Sequence, residues 1–459
     1  MSGAAADDST FSIMIVSPSR AALSTADTGF FLADRPTLVD LFVFEDPGGI
    51  DRAAVEQWVS ERLDRSPLLT HRVVPVPGFL DHPRWVPARV DVTRHVSVEE
   101  YSGEGWAALG ETLTRMTADG LRRDVPPWRL SVFTGVTGVA GLPERAVVVA
   151  LQIHHCAIDG LGVGHLLRAL FGTVPAPRWR LGSRVPWWIA APARFPLLVT
   201  RLAAAAVRLG VETRRRPSAP KPASPHTRLN GRADGGRAHR FLPFTVPELK
   251  ITAKALGPYT INDLWIAMVA GALRAYLLEK EELPASSLAA HVPLSLRGDG
   301  PPVGNLVANM VVDLRTDLDD PRARLAAIAD TVRRERVLLG RVGRRQMAVL
   351  DAVPAPALRR LVRRADARRA AASADAPRHT NTVVSNVPRG AADLEFLGLP
   401  VRTTMSLLEV FDGRGLSHVA ASIGDEMTLT VTCDTGMMPD VDHYVDLLAK
   451  EYAVLRALT

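Results

Sequence analysis

Cysteine is nearly absent: of 459 residues only Cys156 and Cys433 are thiols. Two cysteines exclude a disulfide framework and a four-ligand zinc site, and both read as reduced structural thiols. No H-x-H or H-E-x-x-H spacing surrounds the chain's histidine pair, so no metal and no bound cofactor is expected. The opening MSGAAADDSTFSIMIVSPSR places acids where a secretory signal needs basic residues, so a cytoplasmic protein is expected. No repeat of 20–50 residues is present, which excludes a solenoid or propeller. What is there is ordinary for a soluble globular protein: 47% hydrophobic and 23% charged residues, with length for two or three domains.

The net charge of +6 is unevenly spread. Between Arg333 and Arg369 stand twelve arginines against Glu335, Asp351 and Asp366. This run reads either as a solvated helical face or as a surface for nucleic acid, anionic lipid or a phosphate-rich cofactor. It has no interleaved aromatics and no nucleic-acid motif, so nucleic acid is not expected as a partner.

Three segments follow from composition. Residues 1–180 read as mixed α and β, with strand-like TLVDLFVFED and RAVVVALQIHH and helical spacing in DRAAVEQWVSERLDR and GWAALGETLTRMTADGL. Residues 181–240 are broken by proline and then rich in Pro, Ser and Gly, which reads as a connector. Arginines and prolines interrupt its apolar stretches, so a spanning helix is not expected there. Residues 186–210 read either as a linker helix packed on the protein or as a helix lying at a membrane surface. Residues 241–459 form a second mixed unit. Its clearest helix, TINDLWIAMVAGALRAYLLEKEE, opens with a capping-box-like Thr260 and Asp263 and is apolar nearly all round, so it should be buried.

The chemistry concentrates in AVVVALQIHHCAIDGLGVGHLL, residues 146–167. Successive strand side chains point to opposite faces, so His154 and His155 diverge: one ring faces a cleft, the other the interior. Asp159 and Gly160 turn the chain into a helix, and the aspartate there accepts backbone N–H groups or pairs with an arginine. A neutral imidazole at such a place removes a proton from a hydroxyl, amine or thiol as that group attacks a carbonyl; the alternative is a purely structural histidine. No G-x-S-x-G elbow is present, which favours direct transfer over an acyl-enzyme. Cys156 is the covalent alternative, but nothing in the sequence orients it.

His154-His155-Cys156-Ala157-Ile158-Asp159-Gly160 resembles the HHxxxDG signature of the acyltransferases related to chloramphenicol acetyltransferase and peptide-synthetase condensation domains. LSTADTGFFLADRP, LRRDVPPWRLSVFTG, TRLNG, TINDLWIAMVAGALRAYL, HVPLSLR with GPPVGNLVANMVVDLRTDLDD, and VVSNVPRG follow in order along nearly the whole chain. Together they are similar to the bacterial wax ester synthase/acyl-CoA:diacylglycerol acyltransferase family. The resemblance implies an α/β (α+β) fold of two chloramphenicol-acetyltransferase-like subdomains, each a mixed sheet with helices, around a tunnel at their interface. It implies that His155, in a catalytic set with His154, Asp159 and Gly160, is the general base for an acceptor hydroxyl attacking acyl-CoA, the co-substrate. Asp159 would hold the loop. Asn262, Asp263, Asn305, Ser385, Asn386 and Trp128 match family motifs and would line or brace the tunnel.

The residues themselves leave other roles open. Asn262 and Asp263 open a buried helix, where they could stabilise an oxyanion or simply cap. Asn305 and Asn386 could shape turns, and Trp128 after two prolines suits a packing anchor. The chain also departs from the family pattern. RPTLVDLFVFE stands where a Met-His pair is common, the Leu of Pro-Leu-Trp is Pro127, and Arg389 stands where a Gly is usual. These departures touch the substrate more than the reaction. The first expectation is transfer of a fatty acyl group to a long-chain alcohol or diacylglycerol, at a membrane or lipid-droplet surface or in the cytoplasm. The alternatives are acylation of a hydroxyl or amine on a specialised metabolite, and a non-catalytic lipid-binding relative.

Overall fold

The computed structural model describes residues 22–32, 37–101, 105–118, 120–139, 141–173, 224–233, 236–296, 305–350, 352–371 and 379–459, with a few helical positions between 196 and 207. The membrane contact expected of 186–210 lies almost wholly outside the described residues.

The principal strands are β1 (Thr37–Glu45), β2 (Val96–Glu100), β3 (Trp128–Thr137), β4 (Arg145–His154), β5 (Arg237–Thr245), β6 (Ala289–Ser295), β7 (Val307–Asp313), β8 (Thr382–Pro388), β9 (Thr403–Leu407), β10 (Leu416–Ile423) and β11 (Glu426–Asp434). The principal helices are α1 (Thr25–Leu32), α2 (Arg52–Ser60), α3 (Gly105–Ala118), α4 (Gly160–Phe171), α5 (Val246–Leu256), α6 (Ile261–Glu279), α7 (Pro321–Leu350), α8 (Ala355–Ala371) and α9 (Val441–Ala457). Two mixed sheets result, ordered β9-β1-β4-β3-β2 and β5-β11-β10-β8-β6-β7. This is the expected α/β architecture of two sheet-and-helix halves.

The first sheet is covered on both faces, which is why its central strands are continuous apolar runs. Along β1, Phe42 and Phe44 join one core with Val147, Val149 and Leu151 of β4 and with Phe171 of α4. Val39, Leu41 and Val43 join another with Val148 and Ala150 of β4 and Leu109 and Leu113 of α3. In the second half α6 is the central core element, with Leu264 through Leu273 buried beneath strands β8, β10 and β11. Its length and apolarity would suffice to cross a membrane, but most of it is buried in the protein. Thr260 and Asp263 form the expected capping box.

One strand was hidden by its composition. β5, RAHRFLPFT, begins inside the stretch read as connector. It is an edge strand, where a proline and polar residues are tolerated because one side needs no partner.

The two halves are interlocked. β9 comes from the C-terminal portion of the sequence yet pairs antiparallel with β1, Val39 opposite Leu407. Arg168 of α4 reaches the carbonyl of Arg389 at 3.1 Å and pairs with Asp393. Arg389 itself is buried and forms an ion pair with Asp40 of β1. The Ser406 hydroxyl donates to the same carboxylate oxygen at 2.5 Å. Two of the departures from the family pattern therefore meet: the unusual arginine after β8 finds its counter-charge in the unusual β1 sequence.

Removing one partner of a buried pair strands the other charge in an apolar place. Arg389→Ala is expected to cost about 3–5 kcal/mol in urea unfolding. The double variant Arg389→Met/Asp40→Leu should recover most of that loss, because it removes both charges while keeping the volume.

Candidate active site

β4 delivers His154 and His155 to its C-terminal end, where Ala157 N–H donates to the His154 carbonyl at 2.9 Å and closes a turn. Asp159 then caps α4: one carboxylate oxygen accepts Gly162 N–H at 2.7 Å, and Gly160 is the first helical residue. The other oxygen accepts Leu306 N–H at 2.9 Å, from the opposite half. One oxygen thus caps the helix and the other reaches across to the opposite half.

The two histidines diverge as alternation requires. His154 is buried; its Nδ1 accepts Cys156 N–H at 3.1 Å, and its own N–H donates to Pro127 O at 3.0 Å. It stabilises the turn from the inside. His155 is half-buried, and its ring stacks on Phe30 at a centroid distance of 4.0 Å and 6° between planes. Its Nδ1 is buried without a hydrogen-bond partner of good geometry. Burial pushes its pKa below the usual 6.5, opposed by its own carbonyl, the Asp159 charge and the Asn305 side chain. At neutral pH the ring is uncharged, the state a general base needs.

Asn305 joins this group from the second half. Its side-chain Nδ2 donates to His155 O at 2.7 Å and to Asp27 Oδ1 at 2.7 Å. Asp27 and Phe30 were not picked out as site residues from sequence. They lie three apart on α1, which puts them on one helix face, and that spacing within LSTADTGFFLADRP was the available signal.

Other candidates sit elsewhere. Trp128 is 2% exposed, donates its indole N–H to Leu69 O at 3.0 Å and stacks on His95, the contacts of a packing anchor in the first half. Asp263 spends its carboxylate on the cap, accepting Thr260 N–H at 2.9 Å and Thr260 O–H at 2.7 Å. Asn262 is half-buried in the same first turn. On β8, Val384 belongs to the helix-covered core, so by alternation Asn386 lies on that face and Ser385 on the other. They cannot line one wall together. Asn386 Oδ1 is buried without a partner. Cys156 is buried, and desolvation together with the nearby Asp27 charge pushes its thiol well above the usual range, which removes it as a nucleophile. Among the described residues no cluster of His, Cys, Asp and Glu could hold a metal.

The comparisons bear on this arrangement directly. The wax ester synthase/diacylglycerol acyltransferase catalytic domain matches residues 23–265, and the C-terminal domain of the same family matches residues 303–456. The chain belongs to this family. It is an acyltransferase with acyl-CoA as co-substrate and a hydroxyl acceptor. Two putative diacylglycerol O-acyltransferases of Mycobacterium tuberculosis are each 28% identical. One aligns over 428 residues, 89% of this chain and 92% of the relative; the other aligns over 398, 80% and 75%. The solved wax ester synthase/diacylglycerol acyltransferase from Marinobacter aquaeolei VT8 superposes with a TM-score of 0.64 at 20% identity, covering 95% of this chain and 99% of that one. The starter condensation domain of rhizomide synthetase shares the fold at a TM-score of 0.56 and 14% identity, covering 95% and 94%.

A base of lowered pKa works until it is protonated, so activity should fall only as pH drops below 6.5, with no loss on the neutral side of that value. Initial rates between pH 5 and 8 check this. Cys156→Ser should leave turnover unchanged, because a protonated buried thiol takes no part; a large loss would restore the covalent route.

Proposed function

We propose that this acyltransferase moves a fatty acyl group from CoA directly to the hydroxyl of a long-chain alcohol or diacylglycerol, with His155 as general base. The observation that carries this reading is a half-buried, uncharged imidazole at the seam of the two halves, stacked on Phe30 and fastened through its own backbone. His155 takes the acceptor's hydroxyl proton as the oxygen attacks the thioester carbon. The tetrahedral intermediate then collapses, the C–S bond breaks, and the imidazolium returns the proton to the departing CoA sulfur. Acyl-CoA and acceptor reach the ring along the seam, in the tunnel the family implies, which keeps water from hydrolysing the thioester. The first turn of α6, with Asn262, supplies positive partial charge for the oxyanion. Ser385 forms part of the wall facing the first half. His154, Asp159 and Gly160 hold the turn. The relatives named as diacylglycerol O-acyltransferases favour a diacylglycerol acceptor.

His155→Ala is expected to lower turnover by about 10²–10⁴ with the fold intact, the range a positioned base contributes. Mass spectrometry on a panel of acyl-CoAs with alcohols, diacylglycerol, amines and polyfunctional hydroxy compounds identifies the acceptor. The buried Arg389–Asp40 pair favours a second reading, acylation of a specialised metabolite, because it puts charge into a seam that an all-lipid site would leave apolar. Products that are lipid esters alone would eliminate it.

The reading extends to a lipid surface as partner, with a carrier protein as the other candidate donor platform. The basic run lies on α7 and α8, where Arg336, Arg360 and Arg364 are exposed beside exposed Val337, Leu338 and Leu361. Exposed aliphatic side chains among arginines suit an anionic bilayer, in which both find partners. Co-sedimentation with phosphatidylglycerol vesicles should exceed that with phosphatidylcholine vesicles and fall in the triple variant Arg336→Glu/Arg360→Glu/Arg364→Glu. Equal binding to both vesicle types would leave the carrier protein as the partner.

A further inference from the structure

The face of α1 turned toward the histidine carries more than a stacking ring. Asp27 is 4% exposed, and its two carboxylate oxygens have separate tasks. Oδ2 accepts Ser24 N–H at 3.3 Å at the start of α1, a local capping contact. Oδ1 faces the other half and accepts both Asn305 N–H at 2.8 Å and Asn305 Nδ2 at 2.7 Å. The second hydrogen of that amide nitrogen goes to His155 O at 2.7 Å.

Two acceptors on one amide nitrogen fix the orientation of the whole side chain. A flipped Asn305 would set its oxygen against a carbonyl and against the Asp27 oxygen that already accepts Asn305 N–H. The orientation that remains leaves Asn305 Oδ1 buried without a partner. His155 Nδ1 is buried without a partner of good geometry as well, and both its own carbonyl and the Asn305 side chain act on the ring. An unpaired buried acceptor and an unpaired buried ring nitrogen in one cluster are each costly alone and complementary together.

We propose that Asp27 is the positioning residue of the transfer reaction. By fixing the Asn305 amide across the seam, it holds the His155 carbonyl and turns the amide oxygen toward Nδ1. The ring thereby keeps its proton on Nδ1 and its lone pair on Nε2. Asp27 touches no reacting atom and acts only through Asn305. Phe30, one helical turn on, holds the ring plane. A single short helix therefore sets the orientation, depth and tautomer of the base. This inference rests on His155 as the base, and the tests are chosen so that the two claims fail separately.

The direct readout is the ¹⁵N spectrum of histidine-labelled full-length protein. Wild type should show His155 as the Nδ1–H tautomer, identified by its loss in His155→Ala. Asn305→Ala and Asp27→Ala should both give a tautomer mixture. In transfer assays each should lower kcat by about ten- to hundred-fold, the range seen when partners orienting a functional histidine are removed, with KM for acyl-CoA unchanged. The double variant should be no slower than Asn305→Ala alone, since residues acting through one another are not additive. Asp27→Asn keeps an acceptor oxygen in the same volume and should recover most of the rate. It also serves for the spectra if the alanine variant does not fold. An unchanged tautomer in these variants, or additive losses in the double variant, overturns the proposal. If wild type transfers no acyl group to any acceptor, the functional reading fails while the spectra still decide the role of Asp27.

Discussion

One amide holds the site together. Asn305 comes from the second half, and its side-chain nitrogen reaches a carboxylate and a carbonyl that both belong to the first. Beside it, Leu306 N–H reaches Asp159. Neither half alone can satisfy these groups. Without the second half Asp27 would lose both Asn305 donors and Asp159 its Leu306 donor, and the histidine turn would lose its outside support. Docking of the halves and assembly of the site are therefore one event, driven by the cost of leaving buried polar atoms unpaired.

The electrostatics of the turn follow from burial. Desolvation favours the neutral form of two groups here: the ring of His155 loses its proton more readily, and the thiol of Cys156 holds its proton more tightly. Both shifts suit the proposed role of His155 as the base and work against Cys156 as a nucleophile. Asp159, a natural candidate for a relay by its distance in sequence, has both oxygens committed to backbone donors.

Charge is distributed with the same economy elsewhere. Inside, Arg389 is matched by Asp40 and Ser406. Outside, Arg333, Arg334, Arg336, Arg359, Arg360, Arg363, Arg364 and Arg368 of α7 and α8 are exposed, although α8 packs against α1, the helix that carries Asp27 and Phe30. The basic surface and the proposed base, His155, are thus separated by one helix.

Much of this could be read along the chain. Periodicity located the central strands, because β1 and β4 are covered on both faces and run apolar without interruption. The capping residues of α6 and the turn at Asp159 were visible because such contacts span only three residues. The histidine signature and its collinear companions led to the family. Tertiary structure decided the rest. β5 was missed because an edge strand needs little apolar patterning. His154 and His155 look equivalent in sequence, and only the fold says which ring is locked inside the turn. Trp128 and Asp263 match family motifs, yet burial and capping consume them. Asp27 and Asn305 are 278 positions apart, and no local pattern can announce a hydrogen bond that exists only once the two halves are packed together.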